Sequence, residues 1–175
     1  MITFKAHGGT MVMWRTGLDP FVTTLSTPSP SFLPILLQIP GFSKSIHIAI
    51  FLPTSGKDPE FVSALSLLDV FIDEMTTLHS CPIYIRGDAN CNPNNHNRSN
   101  LFQHFCLKHK FLSIDFRHPS HHHFLGGGLQ DAQLDVLLYQ EDSDAEILNE
   151  LVCKLEHPLV DSAHDLVLST CSLPP

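Results

Sequence analysis

No stretch of this 175-residue sequence approaches the run of about 18 apolar residues that a membrane-spanning helix needs. Its first residues, Met1 to Ala6, also lack the charged and apolar regions of a secretory leader, so a soluble, intracellular protein is expected. There is no C-x-x-C pair. The five cysteines are an odd number at irregular spacing, which suits reduced thiols better than a disulfide framework in a chain this long. Positive charge is scarce as well: 10 Lys and Arg stand against 18 Asp and Glu, a formal net charge of −8. Non-specific nucleic-acid binding depends on Lys and Arg displacing counterions, so a broad phosphate-gripping surface is excluded and any contact with DNA has to be local. No Walker or dinucleotide pattern accompanies Gly126 to Gly128, which read as a turn before a strand.

What is present is a 43% apolar composition, enough to bury the core of one domain. Histidine is abundant, with twelve residues that carry charge only where their pKa values are raised. His118 and the run His121 to His123 raise the alternative of a histidine-rich, zinc-binding, non-catalytic module. Neighbouring residues on an extended segment point to opposite faces and no cysteine pair lies near, so structural or phosphate-facing histidines suit the run better.

Strands and helices alternate along the chain. Gly9 to Trp14 and Ser45 to Leu52 read as strands, the second with Ile46, Ile48 and Ile50 on one face. Ser26 to Pro34, with three prolines, reads as a loop entering a strand Ile35 to Ile39. Asp58, Pro59 and Glu60 mark a helix start, with Asp58 as the capping side chain and proline in the first turn. Phe61, Leu65, Leu68, Ile72 and Met75 follow as a single apolar stripe. A strand Ile83 to Arg86 comes next, then a helix from about Ser99 to Lys110 with Leu101, Phe102, Phe105 and Cys106 inward. Gln133 to Tyr139 reads as a strand. Ser143 and Glu146 form a capping box for a helix carrying Ile147, Leu151 and Leu155, and Asp165 to Thr170 reads as a last strand. The order is mixed α/β, with helices packed outside one or two sheets.

Chemistry-bearing residues fall at the ends or starts of these strands: Asp88 and Asn90 in IYIRGDANCNPNN, Asp135 in QLDVLL, and His164 with Asp165 in DSAHDLVL. Ligands in open α/β folds gather at such strand ends. A histidine held by one carboxylate and facing another can orient a water and stabilise a phosphoryl oxygen, which is what phosphodiester hydrolysis requires. The bland alternatives are a turn cap for Asp88 and Asn90, a polar strand start for Asp135 and a satisfied core histidine for His164.

GDAN at Gly87 to Asn90, AQLDVLL at Ala132 to Leu138 and SAHDLVL at Ser162 to Leu168 resemble the ordered late motifs of the endonuclease/exonuclease/phosphatase superfamily, whose fold is like deoxyribonuclease I. GGTMVMW at Gly8 to Trp14, FLPTSG at Phe51 to Gly56 and HPSHHHFLGGG at His118 to Gly128 look like the apurinic-endonuclease-type domain of non-LTR retrotransposons. The resemblance implies two packed mixed β-sheets with helices outside. It further implies a metal-dependent DNA endonuclease, nuclear if derived from a retroelement, that uses Mg²⁺ or Mn²⁺. A phosphodiesterase or phosphatase acting on a small substrate is the alternative within the superfamily.

In that resemblance Asp88 deprotonates or holds the attacking water, Asn90 orients it, and Asp135 holds the imidazole of His164 against the scissile phosphate. The family's first strands and metal-holding glutamate belong upstream of Gly8, where seven residues stand and none is acidic. The chain is therefore expected to lack those strands, one partial domain spanning 1–175. Phe51 takes the place of a phosphate-contacting tyrosine, and Ala163 that of a metal-binding aspartate. Asp165, beyond His164, is the candidate to replace the latter as metal ligand.

Overall fold

The computed structural model describes residues 2–7, 10–54, 57–91, 96–113, 121–125, 128–132, 134–140, 146–153 and 166–172. In chain order the strands and helices are β1 (Ile2–His7), β2 (Thr10–Arg15), β3 (Val22–Thr24), β4 (Phe32–Leu37), β5 (Ser45–Phe51), α1 (Asp58–Leu78), β6 (Ile83–Asp88), α2 (His96–Lys108), β7 (Phe111–Ser113), β8 (His121–Leu125), β9 (Gly128–Ala132), β10 (Asp135–Gln140), β11 (Glu146–Cys153) and β12 (Leu166–Ser172). Six of the strands form one mixed sheet in the order β3-β4-β5-β6-β10-β7. Only β5 and β6 run parallel, because α1 carries the chain back between them, whereas the other neighbours pair antiparallel. β1 pairs β2, β8 pairs β9 and β11 pairs β12 as separate antiparallel ribbons.

Alternation decides which side chains of the sheet meet the helices. Phe32, Ile46, Ile48, Ile50, Ile83, Ile85 and Leu138 form one buried cluster with the α1 stripe Phe61, Leu65, Leu68, Ile72 and Met75 and with Phe102 and Phe105 of α2. The opposite face is buried too, at Leu33, Ile35, Tyr84 and Leu137, none of which belongs to that cluster. A sheet apolar on both faces has to be covered on both. β1 approaches β4, and β2 approaches β4 and β5. The expected layering of sheets with helices outside follows from these two buried faces.

Three sequence-based expectations need correction. Pro34 belongs to β4 rather than to the preceding loop: it pairs with Ile48, and its carbonyl accepts from Leu25 N–H just where the β3 ladder ends after Thr24–Ile35. Its missing N–H therefore falls at the end of a three-residue edge pairing, where a proline costs little. Asp58 does not cap α1, since Lys57 occupies the cap position and Asp58 forms an ion pair with Arg98. The expected helix around Ile147 and Leu151 is instead β11, paired to β12 with a register irregularity between Ile147 and Asn149. Its i, i+4 apolar spacing is local, while the pairing with the β-prone run LVLSTCS is distant in sequence, and tertiary pairing overrides propensity. Ser143 and Leu155 lie outside the described residues. Among the described residues no helix is long and apolar enough to cross a membrane.

Candidate active site

β5 and β6 run parallel, so their C-terminal ends meet at one edge of the sheet, and antiparallel β10 brings its first residue to the same edge. Phe51 of β5 is in register with Asp88 of β6, and Asp88 is in register with Asp135 of β10. Alternation places all three on the face opposite the helices. Asp88 is buried, Asp135 half-buried and Phe51 exposed. Two carboxylates directly opposite each other destabilise an antiparallel pair unless a positive group or a proton compensates them. Close like charges of this kind are among the local conflicts that functional sites carry.

The approach to Asp88 is set by the residue before it. Gly87 has φ +130°, and a Cβ built there would lie 2.2 Å from the carbonyl oxygen of Ile50 on β5. Only glycine lets β6 come this close to β5 while keeping Asp88 on the opposite face. Beyond Asp88 the chain turns sharply. Asn90 adopts φ +48°, a left-handed conformation that asparagine tolerates. Its main-chain N–H donates to Asp88 Oδ1 at 2.8 Å, and its side-chain Nδ2 donates to the Leu52 carbonyl at 2.8 Å. Ala89 N–H donates to Leu134 O, and Leu52 N–H to Asp88 O, so the strand ends are cross-tied on both sides. Asp88 and Asn90 therefore do form a turn cap, and the same contacts fix their positions at the sheet edge.

One residue past Asn90, burial pushes the Cys91 thiol up to about 12, outweighing the opposing charge of Arg98, with lesser raising by Cys106 and Asp88. Burial pushes Cys106 up to about 12 as well. Both thiols stay protonated and serve as packing rather than as nucleophiles or metal ligands.

Asp88, Asn90 and Asp135, proposed from the sequence, thus meet at one end of the sheet. His164 and Asp165 lie outside the described residues, as does His118. The His121–His123 run lies on strand β8, the extended conformation expected for it. Sequence reasoning missed Arg98. Its guanidinium is buried beside the same loops and reaches acceptors 40 to 45 residues away, and a lone arginine in an amide-rich stretch carries no local signal of that.

No protein-family model and no curated protein matches the sequence. Solved structures do. The endonuclease domain of TRAS1, a telomere-specific non-LTR retrotransposon, superposes with a TM-score of 0.72 at 14% identity, covering 94% of this chain and 77% of that one. Danio rerio TDP2 complexed with a single-strand DNA product gives 0.65 at 12%, covering 98% and 77%. A Bacteroides thetaiotaomicron mannosyl-6-phosphatase gives 0.66 at 12%, again covering 98% and 77%. At these identities the likeness is one of fold. The six-stranded mixed sheet, its helices and these superpositions together give the chain a deoxyribonuclease I-like fold.

Proposed function

We propose that the chain hydrolyses phosphodiester bonds of DNA as a divalent-metal-dependent endonuclease of the retrotransposon type, with weak turnover. The observation that supports this reading best is the register pairing of Asp88 with Asp135, with Asn90 held two residues on. Carboxylates from neighbouring strands are the hard oxygen donors that Mg²⁺ or Mn²⁺ takes, so the residues present fit such an ion. Among the described residues no group of three His, Cys, Asp or Glu side chains is assembled; Asp165 is assigned as the metal ligand, and Asp88 and Asp135 keep the roles that follow. Such an ion, when bound, supplies polarisation of the phosphoryl group. Asp88 holds and deprotonates the attacking water, and Asn90 orients it. Asp135 fixes the tautomer of His164, which meets the phosphate as a cation.

A net charge of −8 fits a local contact with DNA rather than a long one. Phe51, beside Asp88, offers no hydroxyl to the phosphate. Loss of one such donor costs about 2.7–4 kcal/mol of transition-state stabilisation, the reason for expecting weak turnover. Among the structural neighbours, the TRAS1 domain and TDP2 with its DNA product favour a nucleic-acid substrate. The mannosyl-6-phosphatase keeps a small phosphorylated substrate as the alternative.

Supercoiled plasmid incubated with the protein and Mg²⁺ or Mn²⁺ is expected to be nicked slowly. With Asp88→Asn the rate should fall about 100-fold, the lower end of what a general base contributes. Nicking that survives Asp88→Asn would overturn the assignment, and faster release of phosphate from a sugar phosphate than nicking of DNA would select the alternative.

A further inference from the structure

Arg98, on the first turn of α2, is the largest fully buried side chain among the described residues, and it lies where the helix-side core at Phe61 meets the candidate site at Asn90. An unpaired buried guanidinium would be costly, and this one is satisfied by main-chain oxygens from two separate loops. Its Nη1 donates to the Pro53 carbonyl at 2.7 Å and to the Asn90 carbonyl at 3.4 Å, and its Nη2 donates to the Thr54 carbonyl at 2.8 Å. Nε donates to Asp58 Oδ1 at 2.6 Å, and Cζ lies 4.5 Å above the ring of Phe61. Residues 52–54 follow β5 and Asn90 follows β6, so one planar cation spans the two loops that leave the sheet on either side of Asp88. A guanidinium can do this because its donors form a fixed fork, which a lysine ammonium cannot reproduce.

We propose that Arg98 is the positioning residue of this site: by bridging the 52–54 loop to Asn90 it holds the Asn90 N–H against Asp88 and so sets the carboxylate that the reaction uses. Its meaning for catalysis rests on the proposed hydrolytic function. The geometric claim stands independently, because the contact that Arg98 supports, Asn90 N–H to Asp88 Oδ1, has a readout without turnover. Loosening the loop lets the Asn90 N–H exchange through local opening. A merely structural arginine, when replaced, would lower global stability and change Asn90 exchange only through global unfolding.

The test compares the native chain with Arg98→Lys and Arg98→Gln, and with Met75→Ala. Met75 lies near the far end of α1, and its loss is destabilising without touching the site loops. Amide exchange is followed at Ala89 and Asn90. Both arginine variants are expected to speed exchange at Asn90 at least tenfold beyond global unfolding. Met75→Ala should not. If Asn90 exchange in the variants only tracks global unfolding, Arg98 is a stability residue and the proposal is overturned. If Asn90 exchange quickens but the native chain cleaves no phosphodiester, positioning by Arg98 stands and the hydrolytic reading falls. Where plasmid is nicked, Arg98→Lys should lower kcat with KM little changed.

Discussion

Gly87→Ala is expected to destabilise the chain by about 2–6 kcal/mol, the sum of two costs of roughly 1–3 kcal/mol each. The first is conformational, because φ +130° is a region that L side chains rarely enter. The second is steric. The added Cβ would stand 2.2 Å from Ile50 O and 3.1 Å from Ile50 N, both main-chain atoms of β5 in register with Gly87, so relief requires opening the β5–β6 ladder rather than turning a side chain. Domains of this size are stable by only about 5–15 kcal/mol, so the variant sits near the limit of folding. Whatever fraction folds should have Asp88 displaced, because Leu52 N–H to Asp88 O belongs to the same ladder. Gly41→Ala is the matched comparison: φ is +82° there, with nothing within 4 Å of the new methyl group, so only the conformational cost applies. Urea denaturation of the three proteins checks this. Equal losses in the two variants would show that the close approach of β6 to β5 is not what position 87 demands.

The parts of the fold that were legible in the sequence are those governed by local period. Ile46, Ile48 and Ile50 alternate, and Phe61, Leu65, Leu68, Ile72 and Met75 repeat at helical spacing; all are buried where that pattern puts them. Position was legible where two local rules agreed, as at the start of the strand at Ile83, although that strand runs on to Asp88, two residues past the Arg86 read from the sequence. What escaped was decided by contacts across long sequence separations. Asp58 has every local feature of a helix cap, yet the buried guanidinium of Arg98, 40 residues away, takes its carboxylate. Glu146–Cys153 carries apolar residues at both helical and strand spacings, and its partner Leu166–Ser172 decides between them. At the site, motif order singled out Asp88 and Asp135 without giving their direct register, which exists only once β10 inserts between β6 and β7. Arg98 was invisible for the same reason: it reaches acceptors on residues 53, 54 and 58, far away in sequence.

Lowering the pH from 6.5 toward 3 is expected to remove roughly 4–5 kcal/mol of stability through His47 alone. His47 lies on the face of β5 opposite the helices, in register with Tyr84, whose ring stacks on it at 4.9 Å, and Ser45 Oγ lies 3.0 Å from its Nε2. Burial in this layer, with the nearby Arg86 charge as a second cause, holds its pKa down at about 3 against an ordinary 6.5. Below 6.5 the unfolded chain binds a proton that the folded chain refuses. Stability is thus complete above 6.5 and declines with falling pH by about 1.4 kcal/mol per pH unit until about 3.

Asp69 adds a separate loss at lower pH. Burial raises its pKa, but hydrogen bonds from Lys108 and His109 outweigh that and hold it below the ordinary 3.8. Its contribution is present above 3.8 and disappears only beneath it, so Asp69 does not share the interval from 6.5 to 4 with the His47 imidazole. His47→Phe keeps a ring against Tyr84 and removes the titration. Urea midpoints measured at pH 7, 6, 5 and 4.5 should therefore fall less steeply in His47→Phe than in the native chain, by the equivalent of one proton. Parallel pH dependences in the two proteins would mean that His47 accepts its proton in the folded state, and that the layer around Tyr84 admits water.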